Sequence, residues 1–301
     1  MQFFAVPFHR MFAVNDLRIS FPYAQVERVP LCELLSHPVL ALHRPATTQL
    51  TPPAVHDFVY ALFIPLFILI VYNRCTAASS HKHHVTILGL AISMILTSFL
   101  TDVIKNMVGR PRPDLIERCI PIHRTAPNTL VDLSVCTQTD HHTLHDGWRS
   151  FPSGHSSFSF AGLGYLSLYL CGQSRVFSRA KTSLAEHTEH VVRGDLLRAL
   201  ACFSPLLGAT MIAISRVQDY RHDVWDVVVG AALGWTVTYW CYRRYWRRLS
   251  SGRCDEPYAD PPGAGNGGDG SAAYGRVRDE EEGGGAVGVA GRNVGVGLEM
   301  R

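Results

Sequence analysis

Three polar clusters stand at the ends of strongly apolar stretches of this chain. The first reads Lys105-Asn-Met-Val-Gly-Arg110-Pro-Arg112-Pro113, the second Phe151-Pro152-Ser153-Gly154-His155-Ser156, and the third Ser215-Arg216-Val-Gln-Asp219-Tyr-Arg221-His222-Asp223-Val-Trp-Asp226. Lys105, Arg112 and Arg216 are three cations able to surround one tetrahedral anion, because Arg offers a planar fork matched to its oxygens and Lys a point charge. Ser153 and Gly154, just ahead of an apolar run, add a hydroxyl and backbone N–H groups at the positive end of a helix dipole. His222 and Asp226 are four residues apart. On a helix that spacing sets the carboxylate one turn from the imidazole. It would keep one ring nitrogen protonated and leave the other free to attack. His155, in the second cluster, is then available to protonate a leaving oxygen. Two histidines with distinct partners make a nucleophile and an acid.

The elements that must position these residues are apolar segments at about 54–73, 84–104, 154–172, 196–215 and 224–242. A bilayer core of about 30 Å needs about 20 apolar helical residues. The segments read as apolar on all faces rather than striped, and basic clusters such as Arg243, Arg244, Arg247 and Arg248 follow them. The fold class expected is therefore all-α, a multi-pass transmembrane helical bundle. Lys/Arg bias puts the tail, the loop 173–195 (Arg175, Arg179, Lys181, Arg193) and the loop 74–83 (Arg74, Lys82) on the cytosolic side. The loop 105–153 and the turn 216–223 then face the lumen or exterior. Alternation places the end of the second helix, the start of the third, the end of the fourth and the start of the fifth on one face. Three clusters far apart in sequence must therefore meet there.

Composition sets the outer bounds. Apolar residues make up 47% of the 301 and charged residues 18%, too greasy for a typical soluble domain. A net charge of +3 is too small to argue for a nucleic-acid partner. No secretory signal pattern opens the chain, and none of the 8 cysteines forms a CxxC pair. Residues 1–53 read as an irregular luminal segment, 54–248 as the membrane domain, and 249–301 as a disordered, Gly-rich cytosolic tail that lacks apolar surface to offset its ordering entropy.

Lys105 to Arg112-Pro113 fits K-x6-R-P, Pro152 to His155 is P-S-G-H, and Ser215-Arg216 to His222 and Asp226 fits S-R-x5-H-x3-D. In order and at these segment ends, they resemble the three-part signature of the type 2 phosphatidic acid phosphatase superfamily, over about residues 56–246. HRMFAVNDLRISFPYAQVERVP also resembles the luminal loop after the first helix of fungal lipid phosphate phosphatases. The resemblance implies a lipid phosphatase of the secretory or vacuolar system or the plasma membrane. His222 would be the nucleophile, Asp226 its orienting partner and His155 the general acid. Lys105, Arg112, Ser153, Gly154 and Arg216 would bind phosphate, and no metal or other cofactor would be needed. Substrates implied are phosphatidate, lysophosphatidate or diacylglycerol pyrophosphate. The alternatives are an isoprenoid pyrophosphate, a sphingoid base phosphate, or a catalytically silent membrane protein. The lipid branch usually has six spans and this chain shows five, with the first absent ahead of HRMF. Residues 31–53 look unlike a family loop, as a truncated gene model or an unspliced intron would produce.

Cys119 and Cys136 fall in the loop read as luminal, where disulfides persist, so a bridge between them is expected. Arg110, Arg118, Arg124 and Arg149 read as solvated loop charges, and Asp219 and Asp223 as surface or helix-start residues. His81, His83 and His84, and His141, His142 and His145, are not read as metal sites.

Overall fold

A computed structural model describes residues 8–24, 59–123, 125–178 and 193–258. Met1–Pro257 form one compact unit, and the second, Tyr258–Arg301, lies outside the described residues but for Tyr258. The expectation of a disordered tail over 249–301 needs correction at its start: residues 249–257 belong to the first unit, with Cys254 buried and Asp255 paired with Arg175, and the tail from 259 on lies outside the described residues. Residues 25–58, which include the unusual 31–53 stretch, also lie outside them.

The described residues are helical and contain no strand, only three isolated bridges. In chain order the helices are α1 (Ile64–Cys75, entered through a π-turn at Val59–Phe63), α2 (Ser80–Val108), α3 (Leu115–Cys119), α4 (His141–Asp146), α5 (Gly154–Gln173), α6 (Arg193–Gln218) and α7 (Val224–Tyr245). A helix stands at each of the five apolar segments. α2 outruns its segment at both ends because its limits are set by caps rather than by hydropathy. Ser79 accepts from Lys82 N–H at its start, and Gly109 ends it with φ of 55°.

α5 is the hub. It packs against α2, α6 and α7, and small residues on it let neighbouring helices come close. The interior is apolar around Tyr165, Tyr169, Tyr242 and Trp246. The all-round apolar reading of the segments needs correction. α2 turns a polar stripe of Thr86, Ser93, Thr97 and Thr101 inward, while Ile95 and Phe99 stay exposed. Buried hydroxyls pair across helices: Ser93 with Thr238 at 2.8 Å, Thr101 with Ser157 at 2.8 Å. The outward faces of α6 and α7 expose Leu197, Leu200, Leu207, Trp225, Val228 and Trp240. Polar groups inside and bulky apolar groups outside is the arrangement that a lipid surround favours.

Two helices, Ser80–Val108 and Leu196–Gln218, are long and apolar enough to cross a membrane, and Tyr60–Cys75 is a shorter apolar helix. α5 and α7 stand at the remaining segments without reaching that hydropathy. α5 is rich in serine and glycine where it lies at the centre of the bundle.

The two ends of the bundle differ. At one end Lys82 Nζ donates to Gln173 Oε1 at 2.6 Å and to the Asp255 carbonyl at 2.9 Å, and Arg175 pairs with Asp255 at 2.9 Å. At the other end the 109–153 connection folds on a small core of its own, Phe12, Ile19, Leu115, Cys119, Leu144 and Trp148. Cys119 and Cys136 are joined there by a disulfide. Residues 8–24 strap across this cap: Phe12 and Val131 exchange backbone hydrogen bonds at 3.0 and 2.8 Å, and Trp148 Nε1 donates to the Arg10 carbonyl at 2.9 Å.

Candidate active site

Lys105 occupies the last turn of α2 and is buried. The chain then reverses at Gly109, where a Cβ would lie 1.8 Å from the Phe8 carbonyl oxygen. Only glycine fits there, on conformation and on space. The reversal carries Arg110 and Arg112 back over the bundle end. Arg112 N–H donates to the Gly147 carbonyl at 2.8 Å, and Ser150 N–H to the Arg110 carbonyl at 3.1 Å. The first cluster is thus laced to the segment leading into the second.

Ser153 caps α5, its hydroxyl accepting from Ser156 N–H at 3.4 Å. Gly154 faces Lys105: a Cβ on it would sit 3.4 Å from Lys105 Nζ. The Ser153 N–H donates to the Asp226 carbonyl at 2.9 Å, which ties the second cluster to the third. Arg216 lies in the last turn of α6, fully buried, with its guanidinium on Ser215 Oγ at 3.1 Å and 3.4 Å from Asp219 Oδ2.

His222 and Asp226 do come together, though not on one helical turn. α7 begins at Val224, so His222 precedes it. Between α6 and α7 the chain turns sharply, with Tyr220 at φ of 52° and the N–H groups of Arg221 and His222 both donating to the Arg216 carbonyl, at 3.1 and 3.3 Å. Asp226 is the third residue of α7. Its side chain closes a capping box by accepting from the Asp223 N–H at 3.1 Å. His222 Nδ1 lies 3.9 Å from Asp226 Oδ2, beyond hydrogen-bond length, and neither ring nitrogen has a hydrogen-bond partner.

The fields converge as the side chains do. Arg216, His222, Lys105 and Arg112 all act on His155, and Asp226, Arg112 and Lys105 act on His222. Burial pushes the His222 imidazole below its ordinary value; Asp226 opposes this, and Arg112 and Lys105 reinforce it. The ring is therefore neutral at neutral pH. Among the described residues no three His, Cys, Asp or Glu side chains gather as metal ligands would.

Arg112 is aimed by Asp146, which accepts from its Nε through the carbonyl at 2.8 Å and from its Nη2 through Oδ1 at 2.9 Å. Arg118 donates to the other oxygen of Asp146 at 3.0 Å and grips the fully buried Asp114 at 2.9 and 3.0 Å. The Tyr23 ring lies under the guanidiniums of both Arg118 and Arg221, at 4.7 and 4.5 Å from its centroid. Burial alone would raise the Asp146 carboxyl, but Arg112 and Arg118 outweigh it and hold the group well below the usual carboxylate range.

All eight residues expected at the site lie at this one end of the bundle. Several expectations around them need correction. Arg118 is buried and doubly paired rather than a solvated loop charge. Arg110 pairs with Asp226 at 2.7 Å and Asp223 at 2.5 Å, and Arg149 with Asp102 at 3.2 Å. Arg124 lies outside the described residues. Asp219 is buried, whereas Asp223 is the helix-start residue expected. Asp146 and Ser150 were not singled out from the sequence. Each acquires its role through a partner remote in sequence, and neither belongs to a spacing pattern that would expose it.

Residues 86–250 match the family profile of the PAP2 superfamily. The chain is 38% identical over 246 residues to diacylglycerol pyrophosphate phosphatase 1 of Saccharomyces cerevisiae, covering 80% of this chain and 73% of that protein. It is 34% identical over 271 residues to a Schizosaccharomyces pombe protein named "Probable diacylglycerol pyrophosphate phosphatase 1", covering 87% and 84%. It is 40% identical over 190 residues to lipid phosphate phosphatase 2 of Arabidopsis thaliana, covering 62% and 59%. No solved structure matches.

Proposed function

The chain belongs to the PAP2 superfamily, and on that premise we propose that it is a membrane-embedded lipid phosphate phosphatase working through a phosphohistidine at His222. That it is a phosphatase follows from the family and its named relatives. One observation carries the mechanism. Lys105, Arg112 and Arg216 bring three cations to bear on His155 at the bundle end where His222 is buried beside Asp226.

In this reading the cations and the N-terminus of α5 bind the phosphate, with Ser153 and Gly154 contributing there. Neutral His222 attacks phosphorus through Nε2 as the bond to the leaving oxygen breaks, and His155, protonated beside the negative charge of the bound phosphate, gives that oxygen its proton. The attacking ring becomes cationic, and the Asp226 carboxylate beside Nδ1 stabilises it. His155, now neutral, takes a proton from the water that hydrolyses the phosphohistidine. Phosphate leaves and both histidines return to their starting states.

The substrates proposed are diacylglycerol pyrophosphate, phosphatidate and lysophosphatidate. Two of the relatives are named for the first of these. The phosphatase domain is residues 54–248. It is a multi-pass bundle with its site at the luminal or extracellular face and the Lys82–Asp255 end in the cytosol, which agrees with the Lys/Arg bias. Isoprenoid pyrophosphates and sphingoid base phosphates belong in the same assay as competitors.

The test is phosphate release from a panel of these lipids in detergent, with rapid-quench trapping of acid-labile phosphate on protein. His222→Ala should abolish the labelled intermediate. His155→Ala should slow leaving-group departure and regain part of its rate on an activated substrate whose leaving group needs no proton. A phosphoenzyme that persists in His222→Ala, or equal rescue of both variants, would overturn the assignment.

A further inference from the structure

We infer that Arg110 is a positioning residue: it fixes the Asp226 carboxylate and, through that carboxylate, the His222 imidazole. The inference rests on the reading of His222 as nucleophile. An ionised carboxylate is acceptor-only, with about four lone-pair sites to fill. Around Asp226, which is fully buried, three are taken. Oδ1 accepts from Arg110 Nη1 at 2.7 Å. Oδ2 accepts from Ser150 Oγ at 2.5 Å and from the Asp223 N–H at 3.1 Å. The same Oδ2 faces His222 Nδ1 at 3.9 Å. Arg110 therefore holds the oxygen turned away from the histidine and leaves the other directed at it.

Two further contacts argue against an incidental surface pair. The second arm of Arg110 holds Asp223 Oδ2 at 2.5 Å, so one guanidinium spans both carboxylates of the α7 capping box. Ser150 N–H also donates to the Arg110 carbonyl at 3.1 Å, so the two side chains that hold Asp226 from outside α7 are laced to each other through the backbone. The carboxylate must close on an imidazole that gains charge during reaction, and a small misplacement there is costly in rate. Arg110 is 32% exposed at its side chain, so changing it removes the grip without opening the core.

The groups acting on His222 bear on how the test is read. They are Lys105 from α2, Arg112 from the loop after it, His155 from α5 and Asp226 from the start of α7; Arg216 acts on His155, and Arg110 and Asp223 join the cluster through Asp226 and the α7 cap. Removing the Arg110 charge takes away one cation and leaves the Asp226 charge uncompensated. Both changes favour the imidazolium.

The experiment compares wild type, His222→Ala, Arg110→Gln and Arg110→Lys, purified in detergent with matched melting curves, on diacylglycerol pyrophosphate. Arg110→Gln should lower kcat about tenfold to a hundredfold with KM held within about twofold, and should move the acid limb of the kcat profile to higher pH. Arg110→Lys, which keeps the charge and one of the two bonds, should fall between, and it reports alone if the Gln variant does not fold. If His222→Ala is inactive while Arg110→Gln keeps the wild-type kcat and pH profile, this inference alone fails. A raised KM with unchanged kcat also overturns it, because Arg110 would then be holding substrate. A His222→Ala variant that still turns over removes the underlying reading, and the inference with it.

Discussion

The Ser153 N–H donates to the carbonyl of Asp226 across 2.9 Å, which joins the turn before α5 to the first turn of α7. That bond lets two motifs seventy-odd residues apart in the chain act as one piece. It also puts α5 and α7 in backbone contact, and the neighbouring Ser156 Oγ donates to the Val227 carbonyl at 2.8 Å.

Such contact leaves no room at Gly230. A Cβ there would stand 2.6 Å from the Ser153 carbonyl oxygen and 3.2 Å from Ser156 Cβ. Gly230→Ala should therefore push the two helices apart, costing about 1–3 kcal/mol in a packed interior and lowering kcat by displacing Ser153 from Asp226. Melting in detergent and steady-state kinetics on the same preparation check it. Wild-type values for both would mean that the helices part freely here.

Asp146 should matter twice. Asp146→Asn should raise KM by releasing Arg112, whose Nη2 it holds at 2.9 Å. It should also change how stability depends on acid. The Asp146 carboxyl is held well below its unfolded value, so its contribution is complete above about pH 4 and is lost as pH falls further toward the folded value. The wild type should lose more stability than Asp146→Asn when chemical unfolding midpoints at pH 5 are compared with those near pH 3. Parallel losses in the two proteins would contradict the pairing.

The phosphate site proposed at Lys105, Arg112 and Arg216 leaves little role for magnesium. Activity should survive EDTA. Vanadate should inhibit, because it adopts the trigonal geometry of a transferring phosphate. Loss of activity on chelation that added magnesium restores would sink the cation-cage account.

The disulfide joining Cys119 to Cys136, with a sequence separation of 17, closes a loop for which a bridge contributes about 3 kcal/mol. It staples the small core that carries Leu115, Leu144 and Trp148, beside Arg112 and Asp146. Reductant, or Cys119→Ser, should lower the melting temperature and raise KM through the Arg112 region. Mass spectrometry after alkylation without reductant should find both cysteines protected, and two alkylated thiols would refute the bridge.

Much of the candidate site was legible in the sequence because the chemistry that an anion site would need is written in residue types. Lys105, Arg112, Ser153, Gly154, His155, Arg216, His222 and Asp226 could be named from their clusters at segment ends. The alternation of five apolar segments alone sends those clusters to one end. The five helices were equally legible, since a predominantly apolar run of about that length has few other fates. Their ends were not, because caps such as Ser79 and Gly109 set them. The inward stripe of Thr86, Ser93, Thr97 and Thr101 was also hidden, because hydropathy does not say which face meets a neighbour. What tertiary structure alone decided is the partnering of the loop charges. Nothing along the chain distinguishes Arg110, Arg118 or Arg149 from solvated arginines. They acquire roles because Asp226, Asp146 and Asp102 arrive from other elements. His222 meets Asp226 through the sharp turn at Tyr220 rather than through helical spacing. Spacing reports only contacts made within one element, whereas ion pairs between elements depend on how helices pack, and the local sequence does not carry that information.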